Sequence, residues 1–380
     1  LPANVEIQHY PEQLIIPGMI DTHIHFPQTE MVGAYGEQLL SWLNTYTFPT
    51  EIQFKEKAYA QQIAKLFVNE LLKNGTTTAL VFCTVHPESV DALFEAAAQQ
   101  QMRLIAGKVM MDRHAPEALC DTAESAYEDS KALIGKWHGQ GRALYAITPR
   151  FAPTSTPEQL ERAGQLKAEF PDVYVHTHLS ENKDEIAWVK DLFPEQKGYL
   201  DVYHHYGLTG NRSVFAHCVH LEDAEWQCMH ETDSAIAFCP TSNLFLGSGL
   251  FPLKKTWQQQ VKVGLGTDIG AGTSFSLLQT VNEAYKVQQL QGDKLSAFES
   301  LYHATLGGAK ALDLDNKLGN FNVGKEADFV VLNLKPTVLQ QLRQSRAKSL
   351  EDSLFAVFTM GDDRNIEATY IYGQKAYNQS

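Results

Sequence analysis

The chain has 380 residues, of which 44% are hydrophobic, and its 31 Lys and Arg against 45 Asp and Glu residues give a net charge of −14. This apolar content is enough to build a large core, which excludes a disordered chain, and the negative charge disfavours nucleic acid and anionic membranes as partners. The sequence has neither an apolar run of roughly 18 residues nor a signal segment, so we expect a cytoplasmic protein.

In chain order, apolar runs of strand length alternate with longer amphipathic stretches, which is typical of parallel strands joined by helical crossovers. Eight strands are predicted at residues 19–23, 78–83, 104–110, 144–148, 173–178, 213–216, 235–239 and 261–266. Helices between them include residues 57–73, 89–100, 122–137, 157–170 and 181–192. This order predicts an α/β fold, a (β/α)8 TIM-like barrel over residues 18–318, with a doubly wound sheet as the alternative.

After Gly308 the pattern changes to short alternating strands with Gly-centred turns, seen in KLGNFNVGKEADFVVLNL and NIEATYIYGQKAY. No crossover helix is predicted there. We expect a small β-sandwich-like appendage formed by the chain termini, with residues 1–17 as its N-terminal β segment and residues 319–380 as its C-terminal part.

Histidine and aspartate residues stand at the ends of several predicted strands. His23 and His25, in PGMIDTHIH, are two residues apart on the first strand, so their side chains project to one face. Alone, this pair could equally be two hydrogen-bonded core residues. The ends of strands five, six and eight carry His178, His217 and Asp268. Because the carboxyl ends of barrel strands meet at one rim, we expect these groups to bind a metal, Zn²⁺ or Fe²⁺.

The order of these residues resembles the amidohydrolase superfamily over almost the whole chain. Within it, the chain is similar to the bacterial guanine deaminases in THIHFPQTEMVGAYGEQLLSWLNTYTFPTE, NGTTTALVFCTVHPES, ITPRFAPTS, HTHLSENKDE and GLGTDIGAGTSFS. The resemblance implies a hydrolase of guanine catabolism that converts guanine to xanthine and ammonia. It also implies a homodimer, and one Zn²⁺ per chain with Fe²⁺ as the alternative, since the fourth strand has no Lys to bridge two metals. Lys108 on the third strand is the nearest candidate bridge, and we interpret it as a structural ion-pairing residue.

The resemblance also assigns the catalytic residues. A metal-activated hydroxide would attack C2, with Asp268 as general base and metal ligand, although an Asp in such a turn is also a common helix N-cap. Glu181, three residues after His178, resembles the proton shuttle that would protonate ring N3.

The substrate-binding residues are predicted from ITPRF and the segments after the first strand. Arg150 can pair with O6 and N7 of guanine through its guanidinium fork, and Gln28 resembles a second polar contact. Phe151 and Trp42 are candidate aromatic walls. Trp42 also fits core packing, because the apolar spacing of EQLLSWL is helical.

Two other functions remain open at this point. The same metal ligands could serve hydrolysis of cyclic amides or triazines, and a metal-free relative could be a binding or assembly protein. The intact set of ligand candidates disfavours the second. Family members have a longer stretch before residue 18, so we expect that the N-terminus of this sequence is trimmed.

Overall fold

The computed structural model describes residues 7–35 and 38–379. Its strands, in chain order, are β1 (Leu14–Pro17), β2 (Met19–His25), β3 (Thr76–Phe82), β4 (Arg103–Gly107), β5 (Val109–Met110), β6 (Leu144–Pro149), β7 (Tyr174–Leu179), β8 (Ser213–His217), β9 (Ala235–Phe238), β10 (Lys262–Leu265), β11 (Phe329–Leu332), β12 (Ile366–Ile371) and β13 (Gln374–Asn378). Residues 1–6 of the predicted N-terminal β segment lie outside the described residues, and β1 lies within that segment.

The helices follow the strands as the sequence predicts in the barrel. They are α1 (Leu39–Trp42), α2 (Phe48–Glu51), α3 (Lys57–Lys73), α4 (Pro87–Gln99), α5 (Ala123–Trp137), α6 (Pro157–Glu169), α7 (Lys183–Leu192), α8 (Tyr199–His205), α9 (Asp223–Glu231), α10 (Pro240–Phe245), α11 (Leu253–Gln258), α12 (Leu277–Leu290), α13 (Ala297–Tyr302), α14 (Gly308–Ala311), α15 (Val338–Gln344) and α16 (Leu350–Met360). Short 3-10 or π-helical segments occupy Phe26–Met31, Leu43–Thr47, Ile52–Lys55, Glu117–Leu119, Ala152–Thr154, His303–Gly307 and Asp363–Asn365. Among the described residues, no helix combines the length and apolar composition needed to cross a membrane.

The parallel strands form a barrel in the order β2-β3-β4-β6-β7-β8-β9-β10, with β5 paired to β6. The eighth strand returns to the first: the Thr22 hydroxyl donates to the Leu265 carbonyl at 2.9 Å. At the same seam, the backbone N–H of Asp268 donates to the His23 carbonyl at 2.9 Å. The predicted barrel is therefore confirmed, because the strands of a doubly wound sheet would not meet in this way. The seam also places Asp268 beside His23.

Apolar side chains fill the inside of the barrel below its carboxyl-terminal rim. Successive strands contribute one set of buried residues, including Ile20, Leu80, Ile105 and Val214. The chain after β10 closes the lower end, where the hydroxyl of Tyr174 donates to the Leu312 carbonyl at 2.6 Å. A second core lies between the strands and the surrounding helices. Since side chains of the described residues fill the lower end, the carboxyl-terminal rim is the end at which a ligand can bind.

The chain termini form a separate four-stranded antiparallel sheet in the order β1-β11-β12-β13. Leu14 lies opposite Leu332 and Phe329 lies opposite Tyr370. The Thr369 hydroxyl donates to the Leu72 carbonyl at 2.7 Å, which ties this sheet to the end of α3. The terminal β appendage is thus confirmed.

The expectation of a C-terminal part without crossover helices is wrong, because α15 and α16 lie between β11 and β12. The side chain of Ser349 caps α16 by accepting from the backbone N–H of Asp352 at 3.1 Å. The ring of Phe355 on this helix packs against Tyr285 on α12, with 4.9 Å between their centroids. Packing against the barrel helix α12 therefore stabilises α16, which the sequence analysis missed because the segments on either side of it have a strand pattern.

Candidate active site

Five predicted metal ligands lie at the carboxyl-terminal rim of the barrel. His23 and His25 project from one face of β2, and both are buried. His178 is the penultimate residue of β7, and His217 is the last residue of β8. Asp268 follows β10 by three residues. The strand ends therefore bring the five side chains together from four separate parts of the chain.

The ligand atoms of these residues face one another across short distances. Nε2 of His25 lies 3.2 Å from Nε2 of His23 and 3.3 Å from Nε2 of His178. An Asp268 carboxylate oxygen, Oδ1, is 3.2 Å from Nε2 of both His23 and His25, and its other oxygen is 3.8 Å from Nε2 of His217. Two ligand atoms that each lie about 2.0 to 2.1 Å from one metal ion are roughly 2.9 to 3.6 Å apart at the angles of about 90 to 120° found in four- or five-coordinate sites. The spacing therefore matches a single metal ion.

The outer nitrogens of two of these histidines are held by oxygen acceptors. Nδ1 of His178 lies 2.6 Å from the carbonyl oxygen of Arg150, and Nδ1 of His217 lies 2.9 Å from Oδ1 of Asn243. An oxygen acceptor requires the hydrogen on Nδ1, so each Nε2 turns an unprotonated lone pair towards the centre. These lone pairs and the carboxylate of Asp268 converge on one point, and a cation bound there would accept electron density from all of them. This donor set fits a divalent metal.

The protonation states of the cluster also suit metal binding. Burial lowers the pKa of His25 to about 3 and lowers the pKa of His178 well below its usual range. Burial alone would raise the pKa of Asp268, but the adjacent His23 and His25 hold that pKa well below its usual value. Neutral imidazoles and an ionised carboxylate are the forms that bind a metal.

The thiol of Cys239 lies near His217 and Asp268 and is buried. Burial raises its pKa well above the usual range, so the sulfur stays protonated. Since the thiolate is the ligand form, the N and O set is the better candidate.

The backbone of the site adopts conformations that are rare for residues other than glycine. His217 has φ of 72°, Asp268 has φ of 52° and Ser180 has φ of 49°. Each such residue costs of order 1 to 3 kcal/mol and persists only where the surrounding structure holds it. The left-handed turn at Asp268 aims its carboxylate back at the histidines. This residue is not a helix N-cap, since the next helix, α12, is preceded by Ser276.

Glu181 stands on the loop between β7 and α7, beside the histidine cluster. Its Oε2 is 3.5 Å from Nε2 of His217, and its Oε1 accepts from the Ser248 hydroxyl at 3.1 Å. Burial, followed by the negative charge of Asp268, raises the pKa of Glu181 to about 8. Glu185 anchors this loop by accepting from the backbone N–H of Glu181 at 3.0 Å. The carboxyl of Glu181 is therefore held in place and close to the metal ligands.

A cavity opens above the cluster and contains about 420 Å³ of empty space, which includes the open solvent at its mouth. Its lining consists of His25, Gln28, Leu39, Trp42, Leu43, Arg150, Phe151, His178, Glu181, Glu185, His217, Leu246, Asp268 and Ala271. The four predicted substrate-binding residues, Gln28, Trp42, Arg150 and Phe151, are thus brought to the same cavity as the metal ligands.

Trp42 combines the two interpretations that its sequence left open. It is the last residue of α1, is 2% exposed, and packs in an apolar cluster that includes Leu39 and Phe48. It also lines the cavity. Trp42 therefore forms part of the cavity wall and at the same time part of the apolar cluster that packs against it.

Three residues at the site were missed by the sequence analysis. Asn243 holds His217, Glu185 holds the Glu181 loop, and Glu51 contacts Arg150 with 2.7 Å between Oε2 and Nη1. No spacing in the sequence relates Asn243 or Glu51 to its partner, because each lies on a helix in a different part of the chain from the group that it contacts. Glu185 could have been found, since it stands three residues after Asn182 in the spacing of a helix capping box and four residues after Glu181.

Two further residues have defined contacts: His176, to which the sequence analysis assigned no role, and Lys108, which it interpreted as an ion-pairing residue. Nε2 of His176, a buried residue, lies 2.7 Å from Nδ1 of His23 and so holds the ring of this predicted ligand in place. The ammonium of Lys108 is buried and pairs with Asp121 at 2.5 Å, and it does not line the cavity.

Residues 14–376 match the model of the amidohydrolase family, and this chain belongs to that family. It is 64% identical over 380 residues to guanine deaminase of Escherichia coli K12, covering 100% of this chain and 87% of that protein. Its fold superposes on the structure of E. coli guanine deaminase with a TM-score of 0.97, covering 100% of this chain and 87% of the other.

A second solved structure, guanine deaminase from C. acetobutylicum with guanine bound in the active site, is 34% identical. Its TM-score is 0.90, and the match covers 96% of this chain and 87% of that chain. The resemblance seen in the sequence motifs is therefore confirmed.

Proposed function

We propose that this protein is a guanine deaminase, which hydrolyses guanine to xanthine and ammonia. The observation that carries the proposal is that one cavity is lined by four of the five predicted metal ligands, by the buried carboxyl of Glu181 and by Arg150. The 64% identical E. coli relative carries the same function in its name, and the C. acetobutylicum structure holds guanine in its active site.

One divalent metal would be held by His23, His25, His178, His217 and Asp268, and we assign Zn²⁺ because nitrogen and oxygen ligands at this spacing suit it. When bound, a metal in such a site lowers the pKa of water towards about 7 and so supplies hydroxide at neutral pH. Fe²⁺ is the alternative, since its ligand preferences overlap with those of Zn²⁺.

The side chains beside the cluster would move the protons of the reaction. Glu181 delivers a proton to ring N3, which makes C2 electrophilic. Asp268 takes up the proton of the water that attacks C2, acting as general base. Asp268 then passes this proton to the 2-amino group, which leaves as ammonia when its bond to C2 breaks. The proton of the new C2 hydroxyl returns to Glu181 as the C2 carbonyl of xanthine forms. The two carboxyl groups differ in the way that this division requires, because the pKa of Glu181 is raised and that of Asp268 is lowered.

Polar and aromatic residues of the cavity would orient the purine. Arg150 presents N–H donors to the acceptors O6 and N7, and Gln28 supplies a second polar contact. Phe151 and Trp42 bound the ring as aromatic walls. Adenine places a donor at position 6, which leaves the guanidinium without an acceptor there.

Hydrolysis of cyclic amides or triazines remains the second candidate on the same fold. The presence of Arg150 and Gln28 in the cavity favours a purine, since both can meet its oxygen and nitrogen acceptors. The test is the steady-state rate on guanine, adenine, cytosine and dihydrouracil, with metal content determined on the same sample. Release of xanthine and ammonia from guanine alone supports the proposal. A preference for dihydrouracil would overturn it.

We also propose that the protein is a homodimer, as the family resemblance implies. Sedimentation equilibrium over a range of concentrations measures this directly. A single species with the mass of one 42.5 kDa chain would contradict it.

A further inference from the structure

Glu51 lies directly behind the wall of the cavity and contacts both polar residues that face the substrate. Its Oε2 is 2.7 Å from Nη1 of Arg150, and its Oε1 accepts from Nε2 of Gln28 at 3.2 Å. Arg150 and Gln28 line the cavity, whereas Glu51 does not. All three side chains are buried, with Glu51 itself 0% exposed. Glu51 can therefore influence a ligand only through its two neighbours.

The carboxylate determines which atoms its neighbours present. A carboxylate only accepts hydrogen bonds, so the Gln28 amide must turn its NH₂ group towards Glu51. The amide oxygen lies on the other side, against Gly270, where an added Cβ would come within 1.9 Å of it. The hydrogen bond to Glu51 thus orients the Gln28 amide, and the second N–H of its NH₂ group remains for the cavity.

The same short helix also holds the guanidinium of Arg150. Glu51 is the last residue of α2 and contacts Nη1, while Phe48, the first residue of α2, lies under the guanidinium with 5.5 Å from Cζ to the ring centroid. One edge and one face of the guanidinium are therefore occupied, and the remaining N–H groups are left for the cavity. A planar donor held in this way is oriented before a ligand arrives.

We propose that Glu51 is a positioning residue that makes the cavity selective for purines with an oxygen acceptor at position 6, by fixing Arg150 and Gln28 as donors. The inference rests on the proposed function, because it assumes that these two residues meet the purine edge. A purely structural role is the competing explanation, since any buried guanidinium requires a counter-charge.

The two explanations differ in what the loss of Glu51 does to ligand choice. A structural ion pair would change stability and weaken all ligands alike. A positioning residue would weaken only ligands that need the fixed donors. Lys108, which is buried, pairs with the partly buried Asp121 with 2.5 Å between Nζ and Oδ2. Neither residue lines the cavity, so Asp121→Asn serves as the control.

The experiment measures binding of hypoxanthine and adenine by calorimetry to the metal-loaded native protein, Glu51→Gln, Glu51→Asp and Asp121→Asn. Neither purine carries a 2-amino group, so neither can undergo the proposed reaction, and they differ in the acceptor or donor at position 6. For Glu51→Gln we expect hypoxanthine to bind at least about 10-fold more weakly, with adenine changed by less than about 2-fold. Glu51→Asp, which keeps the charge, should recover part of the hypoxanthine affinity, and the control should change neither purine.

An equal loss for both purines in Glu51→Gln, or unchanged hypoxanthine binding, would overturn the inference. If Glu51→Gln does not fold, Glu51→Asp decides the question by the same comparison, because its shorter side chain cannot keep both contacts. Guanine turnover by the native protein is measured alongside. Its absence would overturn the proposed function, whereas the purine-binding comparison would still decide the role of Glu51.

Discussion

Replacement of Glu181 by Gln tests the proton-transfer chemistry of the site most directly. The Glu181 side chain is 2% exposed and accepts a hydrogen bond from the Ser248 hydroxyl at 3.1 Å. Gln has the same shape and can accept the same hydrogen bond. The change therefore removes the transferable proton while the cavity stays filled. A positioned general acid contributes about 10² to 10⁴ in rate, equivalent to about 2.7 to 5.4 kcal/mol of activation free energy. We expect turnover of guanine to fall by at least about 10²-fold.

The assay for Glu181→Gln is steady-state xanthine formation, with metal content measured on the same preparation. Metal content should stay at the native level, because Glu181 is not among the five proposed ligands. Ser248→Ala is the matched control, since it removes one neutral hydrogen bond and leaves the carboxyl in place, and it should lower turnover by about 10-fold or less. Native turnover in a metal-loaded Glu181→Gln protein would refute the proposed proton shuttle.

Three further substitutions test recognition, the metal site and the fold. Arg150→Ala should lower kcat/KM for guanine by about 10²-fold, because it removes the proposed donors to the purine. The variant should retain the metal, since the backbone carbonyl of residue 150, and not the guanidinium, contacts His178. Metal loss on elemental analysis would contradict this. Asn243→Ala should weaken metal affinity by about 10- to 100-fold in competition with a chelator, since it removes the 2.9 Å partner of His217, and unchanged affinity would show that this contact is dispensable. Gly107→Ala should lower the free energy of unfolding in urea by about 3 kcal/mol or more, because its Cβ would lie 1.7 Å from a backbone oxygen of the next strand. Gly135→Ala, in a helix with open space around it, should instead raise that free energy by up to about 1 kcal/mol, and equal effects at the two glycines would refute the steric argument.

Much of the barrel follows from local pattern. Apolar runs bounded by polar ends define strands, and the eight predicted runs correspond to the eight strands of the barrel. The strand period of two places His23 and His25 on one face without any knowledge of the fold. The ends of parallel strands meet at one rim, so His178 and His217 could be placed near them from their positions alone. Local sequence was less informative after Gly308, where α16 depends on contacts with α12.

The sequence by itself therefore predicted the strands and the ligand candidates at their ends, because the length of an apolar run and the alternation of side chains are local properties of the chain. The closure of these strands into a barrel was decided by the contact between the first and the eighth strand. Only the tertiary structure decided which groups support the ligand candidates. Glu51 reaches Arg150 across 99 positions of sequence, and Asn243 reaches His217 from a separate helix. The left-handed turn that aims Asp268 at the histidines is likewise held by its surroundings. Contacts of this kind form when segments that are distant in sequence pack over the rim, so they cannot be predicted from periodicity along the chain.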